Sequence, residues 1–246
     1  MRYGIISDIH GNLEALQAVI ERIGHVDAYI CPGDIVGYGA DPNGCCDILR
    51  EFSPITVMGN HDAAALGNMD LSWFNPLAKA AAEWTGATLS DDSRRFLLSL
   101  PLTEDLGDLV IAHGSLHEPQ RFYYIEDPWM ARPSFDALPR GAQVAFVGHT
   151  HITEYYVRQR GVMGVDQLSL ISGGTVELRD GFSYLVNCGS VGQPRDGNPE
   201  ASCGMFDAEK RTVEVFRVSY EIAAAQRKIV QVGLPRQLAD RLAFGS

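Results

Sequence analysis

The chain has 246 residues, 46% apolar and 21% charged, with 20 Lys and Arg against 31 Asp and Glu. That length can bury a sizeable core, and the balance belongs to folded globular proteins and excludes a disordered chain. A formal charge of −11 argues against a nucleic-acid duplex as the main partner, because a phosphate backbone calls for a basic footprint.

Arg2–Ser7 reads as a strand, and Asn12–Ile23 as a helix with Leu13, Leu16, Val19, Ile20 and Ile23 at helical spacing. Ala28–Cys31 is a short strand, Pro42–Phe52 a helix and Ile55–Met58 a strand. Helical stretches follow around Leu77–Thr88 and Asp91–Ser99, then buried-strand runs at Leu109–Ala112 and Val144–Val147. This alternation implies βαβ units and a largely parallel sheet. The second half changes character. Glu154–Arg158, Gln167–Ser172, Thr175–Leu178, Tyr184–Asn187, Gly204–Phe206 and Val213–Val218 are short strands between turn signals, and predict an antiparallel or mixed second sheet. Glu221–Val232 and Arg236–Ala243 close the chain as helices. Without a low-complexity linker or repeat, residues 1–246 are expected to form one domain.

MRYGIISD runs straight into a strand with no signal-peptide core, and no apolar stretch approaches the roughly 20 residues of a membrane span. The cysteines at 31, 45, 46, 188 and 203 are odd in number and form no CxxC pair. Reduced thiols in a cytoplasmic protein are the simplest expectation, with Cys45 and Cys46 partly buried on a helix in preference to a redox pair.

Five polar clusters follow the apolar runs YGIIS, AYICP, PITVM, LVIA and VAFV: Asp8-Ile9-His10, Gly33-Asp34, Gly59-Asn60-His61-Asp62, His113 and Gly148-His149-Thr150-His151. They hold five of the seven histidines. Ligands of α/β sheets bind beyond the carboxyl ends of strands, where all five clusters lie. Asp8 and His10 are two residues apart, as are His149 and His151, which puts each pair on one side of an extended backbone. Gly33, Gly59 and Gly148 allow tight turns towards an ion. Any one histidine alone is more often a hydrogen-bonded interior residue; the ordered set points to a pair of divalent metals. Two dications would also invert the local field and admit an anionic substrate to an acidic protein.

DIH, GDIVGYG, GNHD, AHG and GHTH, in this order over residues 5–151, resemble the calcineurin-like metallophosphoesterases. NCGSVGQPRDGNP (187–199) resembles the small bacterial and archaeal members, including those related to dinucleoside polyphosphate hydrolases. The resemblance implies an α/β fold of four layers, two mixed sheets flanked by helices. It implies that Asp8, His10, Asp34 and His151 hold one metal and that Asp34, Asn60, His113 and His149 hold the other, with Asp34 bridging. It makes His61 the general acid for the leaving oxygen, oriented or tuned by Asp62; the alternative is that His61 only hydrogen-bonds a neighbouring group.

Phosphate esters repel anionic nucleophiles until their charge is neutralised. Two metals about 3.5–4 Å apart can bind phosphoryl oxygens and share one hydroxide at neutral pH. Four imidazoles among seven ligands favour Mn²⁺, Fe, Zn²⁺, Co²⁺ or Ni²⁺ over Mg²⁺ or Ca²⁺.

Among the remaining residues, His25 is expected in solvent, and His117 either near substrate or structural. Arg121 reads as a surface residue in preference to a phosphate contact, and Trp73, Phe74 and Trp84 as core or lid packing in preference to a base-stacking platform. Gln193 and Arg195, in the Gln193-Pro194-Arg195 turn, are candidate phosphate or nucleobase contacts. Serine/threonine protein phosphatases and symmetric dinucleoside tetraphosphatases resemble this chain but carry an arginine where GDIVGYG places Tyr38. A phenol does not replace a planar guanidinium fork, which puts both activities in doubt. Tyr38 can instead stack on a base or donate one hydrogen bond, which favours a phosphodiester or a nucleotide anhydride. The expected function is therefore a two-metal phosphodiesterase or nucleotide hydrolase acting on a small anionic substrate. The alternatives are a protein phosphatase or phosphomonoesterase, and a scaffold that kept the fold without catalysis, as a retromer subunit resembling this family has. The complete ligand set and His61 favour the enzyme.

Overall fold

The structure is a computed structural model that describes residues 1–246. The chain enters through β1 (Arg2–Ile5), α1 (Leu13–Ile23), β2 (Ala28–Cys31), α2 (Pro42–Phe52), β3 (Ile55–Thr56) and α3 (Asn60–Ala65). It continues through α4 (Pro76–Thr88), α5 (Asp91–Leu98), β4 (Thr103–Asp105), β5 (Leu109–Ala112), α6 (Pro128–Ala137) and β6 (Val144–Val147). Six longer-range strands follow: β7 (Thr153–Gln159), β8 (Asp166–Ser169), β9 (Gly174–Glu177), β10 (Phe182–Cys188), β11 (Ala201–Asp207) and β12 (Thr212–Val218). Helices α7 (Ile222–Gln231) and α8 (Arg236–Asp240) end the chain.

The strands form two six-stranded sheets, β3-β2-β1-β11-β12-β9 and β4-β5-β6-β10-β7-β8. Both are mixed. Strands β1, β2 and β3 run parallel, as do β5, β6 and β10, and the other pairings are antiparallel. The expected largely parallel first sheet and separate second sheet are therefore corrected: each sheet draws on both halves of the chain. Alternation of strand and helix sets the local βαβ units but not the neighbours of each trio. Here β11 closes the open edge of β1, and β10 that of β6, which leaves neither long parallel edge exposed.

Strands β5 and β6 are apolar throughout because both faces are covered. In β5, β6 and β10, Leu109, Ile111, Val144, Phe146, Tyr184 and Val186 fill the core between the sheets. The alternate residues Val110, Ala145 and Leu185 pack with Phe135 of α6 on the outer face. Leu16, Val19 and Ile23 of α1 lie on the outer face of the other sheet with Leu49 of α2 and Leu97 of α5. The layers thus run helix, sheet, sheet, helix. Asn12 caps α1 by accepting from the Ala15 N–H (3.2 Å), and Gly24 ends it at φ +66°. Helices α7 and α8 pack against α4 and Tyr38. Elements α3, β4 and α6 were not anticipated, and α6 carries Pro133 in its interior. No helix is long and apolar enough to cross a membrane.

Candidate metal centre

Every candidate ligand lies just past the carboxyl end of a parallel strand. Asp8 and His10 follow β1, Asp34 follows β2, and Asn60 with His61 follows β3; His113 follows β5, and His149 with His151 follows β6. The loops are tied together by backbone bonds. The His10 N–H donates to the Asp34 carbonyl (3.0 Å), the Gly192 N–H to Asp8 (2.9 Å) and the Gly148 N–H to His113 (2.8 Å).

The expected extended pairing of Asp8 with His10 and of His149 with His151 does not occur. β1 ends at Ile5 and β6 at Val147, so the pleat no longer governs these positions. Instead φ is +52° at Asp8, +51° at His10, +53° at Asp34, +71° at His149 and +61° at His151. Left-handed backbone costs a non-glycine residue about 1 kcal/mol or more, so the surrounding structure imposes these turns. Close approach is equally enforced. A Cβ on Gly59 would fall on the Asp34 carboxylate, and one on Gly148 would lie 2.5 Å from Asp8 Oδ2.

The side chains form two groups that share Asp34. Ligand atoms of Asp8, His10, Asp34 and His151 lie within 4.8 Å of one another, as do those of Asp34, His113 and His149. Asn60 joins the second group, its Oδ1 3.0 Å from His113 Nε2. These are the two sets the motifs imply.

Hydrogen bonding shows that the groups suit cations. His10 donates through Nδ1 to the Val36 carbonyl (3.1 Å), and His151 through Nδ1 to the Gln193 carbonyl (2.5 Å). A carbonyl accepts only, so both Nδ1 atoms carry the proton. Burial holds both imidazoles well below their usual range, hence neutral, and both Nε2 atoms carry bare lone pairs. Those lone pairs face each other across 3.0 Å. Asp34 Oδ2 is buried, 3.6 Å from the bare His10 Nε2, and the one nitrogen that can offer it a proton is His113 Nε2 at 3.2 Å. Acceptors converging on buried space require a cation.

The acidities agree. Burial alone would raise the Asp34 carboxyl, but His113 and His61 pull it well below the usual carboxylate range. Burial would lower His113, yet Asp34 reverses this and lifts it to about 9, so a proton settles where positive charge is favoured. Burial raises Asp8 to about 6. Its carboxylate accepts from Ser7 Oγ (2.7 Å) and from the His149 N–H (3.0 Å). The outer nitrogen of His113 is fixed in the same manner, its Nδ1 donating to the Pro32 carbonyl (2.8 Å), whereas His149 Nε2 has no partner.

His61 reaches the centre by its backbone, its N–H donating to Asp34 Oδ1 (2.8 Å), while its ring lines the adjoining cleft. Burial lowers it to about 4. The expectation that Asp62 orients the ring is corrected. Asp62 accepts from the Val36 N–H (3.1 Å) and the Gly59 N–H (3.0 Å), so it binds the Asp34 loop to the start of α3, and His61 Nδ1 has no partner.

The cleft has a volume of about 380 Å³. Tyr38, Arg195, Phe74, Trp73 and Tyr124 line it. Trp73 is 88% exposed and belongs to the cleft wall, not the core, whereas Trp84 is partly buried against the C-terminal helices. Gln193 does not face this space: it is buried, and its side-chain oxygen accepts from Arg195 (3.0 Å). Arg121 lies at the cleft wall and His117 outside it, 3.6 Å from Glu118. His25 is exposed. Sequence reasoning missed Tyr124, whose ring stacks on His149 with centroids 3.8 Å apart, and Arg241, which enters the cleft from the C-terminus. It also missed Asn187, which donates to the Gly148 carbonyl (2.8 Å) and so holds the His149 loop; the NCGS run was the available signal.

Fold and site together define a metal-dependent phosphoester hydrolase. Residues 1–211 match the calcineurin-like phosphoesterase superfamily domain, and the chain belongs to that superfamily. It is 36% identical over 247 residues to uncharacterized protein MJ0912 of Methanocaldococcus jannaschii, across 98% of this chain and 97% of that protein. The structure of a metallophosphoesterase from Sphaerobacter thermophilus superposes with a TM-score of 0.90 at 39% identity, covering 100% of this chain and 99% of the other. Hypothetical protein PH1004 of Pyrococcus horikoshii shares the fold, with a TM-score of 0.78 at 18% identity over 100% and 98% of the two chains.

Proposed function

We propose that the protein hydrolyses a phosphodiester or a nucleotide anhydride of the dinucleoside polyphosphate kind, with two transition-metal ions, Mn²⁺, Fe, Zn²⁺, Co²⁺ or Ni²⁺. Asp8, His10, Asp34 and His151 would hold one ion, and Asp34, Asn60, His113 and His149 the other. When bound, such a pair neutralises phosphoryl charge and activates water. The observation that carries the substrate class is the cleft beside the ligands: aromatic rings at 38, 73, 74 and 124 line it together with the Arg195 guanidinium. Rings of this kind stack on bases, and a guanidinium fork grips phosphate.

His61 supplies the leaving-group proton. Lowered to about 4 by burial, the ring needs the negative charge of a bound substrate against it before it can hold that proton at neutral pH. Arg195 supplies the guanidinium absent from the GDIVGYG loop. One core shared by strands of both halves supports treating residues 1–246 as a single domain. Five buried, unpaired cysteines support a reducing compartment, the cytoplasm.

Purified protein loaded with Mn²⁺ should be assayed on nitrophenyl diesters, nitrophenyl monoesters and dinucleoside polyphosphates. The proposal expects the highest kcat/KM on the dinucleotide. Preference for the monoester would instead favour a phosphomonoesterase.

A further inference from the structure

Arg195 and Arg241 both line the cleft, from parts of the chain that are distant in sequence. No Asp or Glu carboxylate lies within ion-pair distance of either, although the protein carries 31 acidic residues. The Arg195 Nε is buried and unpartnered, and one of its terminal nitrogens lies 3.4 Å from the Tyr38 phenol. Arg241 donates from Nε to the backbone oxygen of Ser246, the last residue described, and its two terminal nitrogens have no protein partner. Burial and the Arg195 charge both press the Arg241 guanidinium to give up its proton. The Ser246 oxygen meets Arg241 at Nε alone, and the two like charges in a half-buried wall favour an anion that joins them.

The packing explains how Arg241 arrives. Leu238, Ala239 and Leu242 sit with Ala225 and Ile229 against Tyr38 and Ala78, so α7, α8 and the turn after them are docked on the wall of the site. This segment lies beyond residues 1–211, which match the superfamily domain. The superfamily domain thus supplies the ligand groups, and the added helices supply a second cationic point beside them.

We infer that Arg241, delivered by the C-terminal helices, forms with Arg195 a subsite for a non-scissile phosphate, which selects substrates bearing an oligophosphate chain. The inference rests on the phosphoester-hydrolase function proposed above. Free polyphosphate and the phosphate chain of a nucleotide share this chemistry. The base is read separately, on the aromatic wall.

Isothermal titration calorimetry on the metal-loaded, full-length protein tests it, with orthophosphate, tripolyphosphate and ATP as probes. Tripolyphosphate should bind at least about tenfold tighter than orthophosphate, the size expected for one desolvated charge-assisted contact. Arg241→Gln should shrink that ratio to within about threefold, and Arg241→Lys, which keeps the charge but loses the fork, should fall between. Arg227→Gln removes an exposed charge from the same segment and should leave the ratio intact. An undiminished ratio in Arg241→Gln with normal metal content, or an equal loss in Arg227→Gln, overturns the subsite. If Arg241→Gln fails to fold, an undiminished ratio in Arg241→Lys does so. ATP tighter than tripolyphosphate identifies a nucleotide as the source of the chain, and equal affinities identify polyphosphate. Failure of wild-type protein to bind any of the three would instead contradict the proposed function.

Discussion

Arg195 lies over the ring of Tyr38, its guanidinium carbon 5.6 Å from the ring centroid, though 157 residues separate the two. The phenol therefore does not stand in for the missing loop arginine; it carries one brought from elsewhere. Tyr38 is also buried, its ring 4.3 Å from that of His61. Tyr38→Phe keeps the platform and should change KM for a nucleotide by no more than a few-fold. Tyr38→Ala should lower stability by roughly 3–5 kcal/mol, as other buried aromatic truncations do, and raise that KM by tenfold or more. Thermal unfolding and steady-state kinetics on both variants decide it. Equal, small effects of the two would mean that the ring supports nothing.

His61→Gln separates the acid from the ligands. Both metals should remain, while esters with alkoxide leaving groups slow by about 10²–10⁴ and nitrophenyl esters far less, since nitrophenolate leaves without a proton. Equal losses on both classes would assign His61 to positioning.

Asp62→Ala should behave as a structural lesion and not as a shift in the acidity of His61. It strands the buried Val36 and Gly59 N–H groups, each costing about 1–3 kcal/mol. Because those groups fix the Asp34 and Asn60 loops, metal content should fall with stability. A variant of normal stability and metal content with a displaced pH–rate profile would restore the tuning role.

The metal-free protein should be most stable near neutral pH. His10, His149 and His151 are held well below 6.5 by burial, and His61 at about 4. The unfolded chain takes up these protons as pH falls through 6.5 while the fold refuses them, so their contribution is complete above 6.5 and lost towards pH 4. Burial raises Asp8 to about 6 and Asp62 to about 7, and that contribution has the opposite sense, lost as pH rises through those values. Four imidazoles outweigh two carboxyls on the acid side. His113 adds stability below 6.5 that disappears as pH rises through about 9. Unfolding midpoints of chelator-treated protein from pH 4.5 to 9 should pass through a maximum. A midpoint that climbs steadily towards acid would show that the imidazoles are not buried neutral.

What the sequence revealed followed local physics. LVIA and VAFV are read to the residue because strands covered on both faces are apolar throughout, and the ligands follow because motif order preserves them. Helix α6 was hidden by Pro133, and α3 by the polar Asn60-His61-Asp62 that opens it. The left-handed turns at Asp8, His10, Asp34, His149 and His151 leave no trace, since none is glycine. Nor does any pattern announce Arg241 or Tyr124: each meets the site through tertiary packing alone.

The central claim is that one carboxylate, Asp34, joins two cation sites. Elemental analysis of protein purified without chelator, beside Asp8→Ala, His149→Ala and Asp34→Asn, tests it most directly. Wild type should carry close to two transition-metal equivalents per chain. Asp8→Ala and His149→Ala should each lose mainly one, because Asp8 lies in one ligand group and His149 in the other. Asp34→Asn should lose most of both, together with nearly all activity. An Asp34→Asn protein that retained two equivalents and turned over normally would contradict the account.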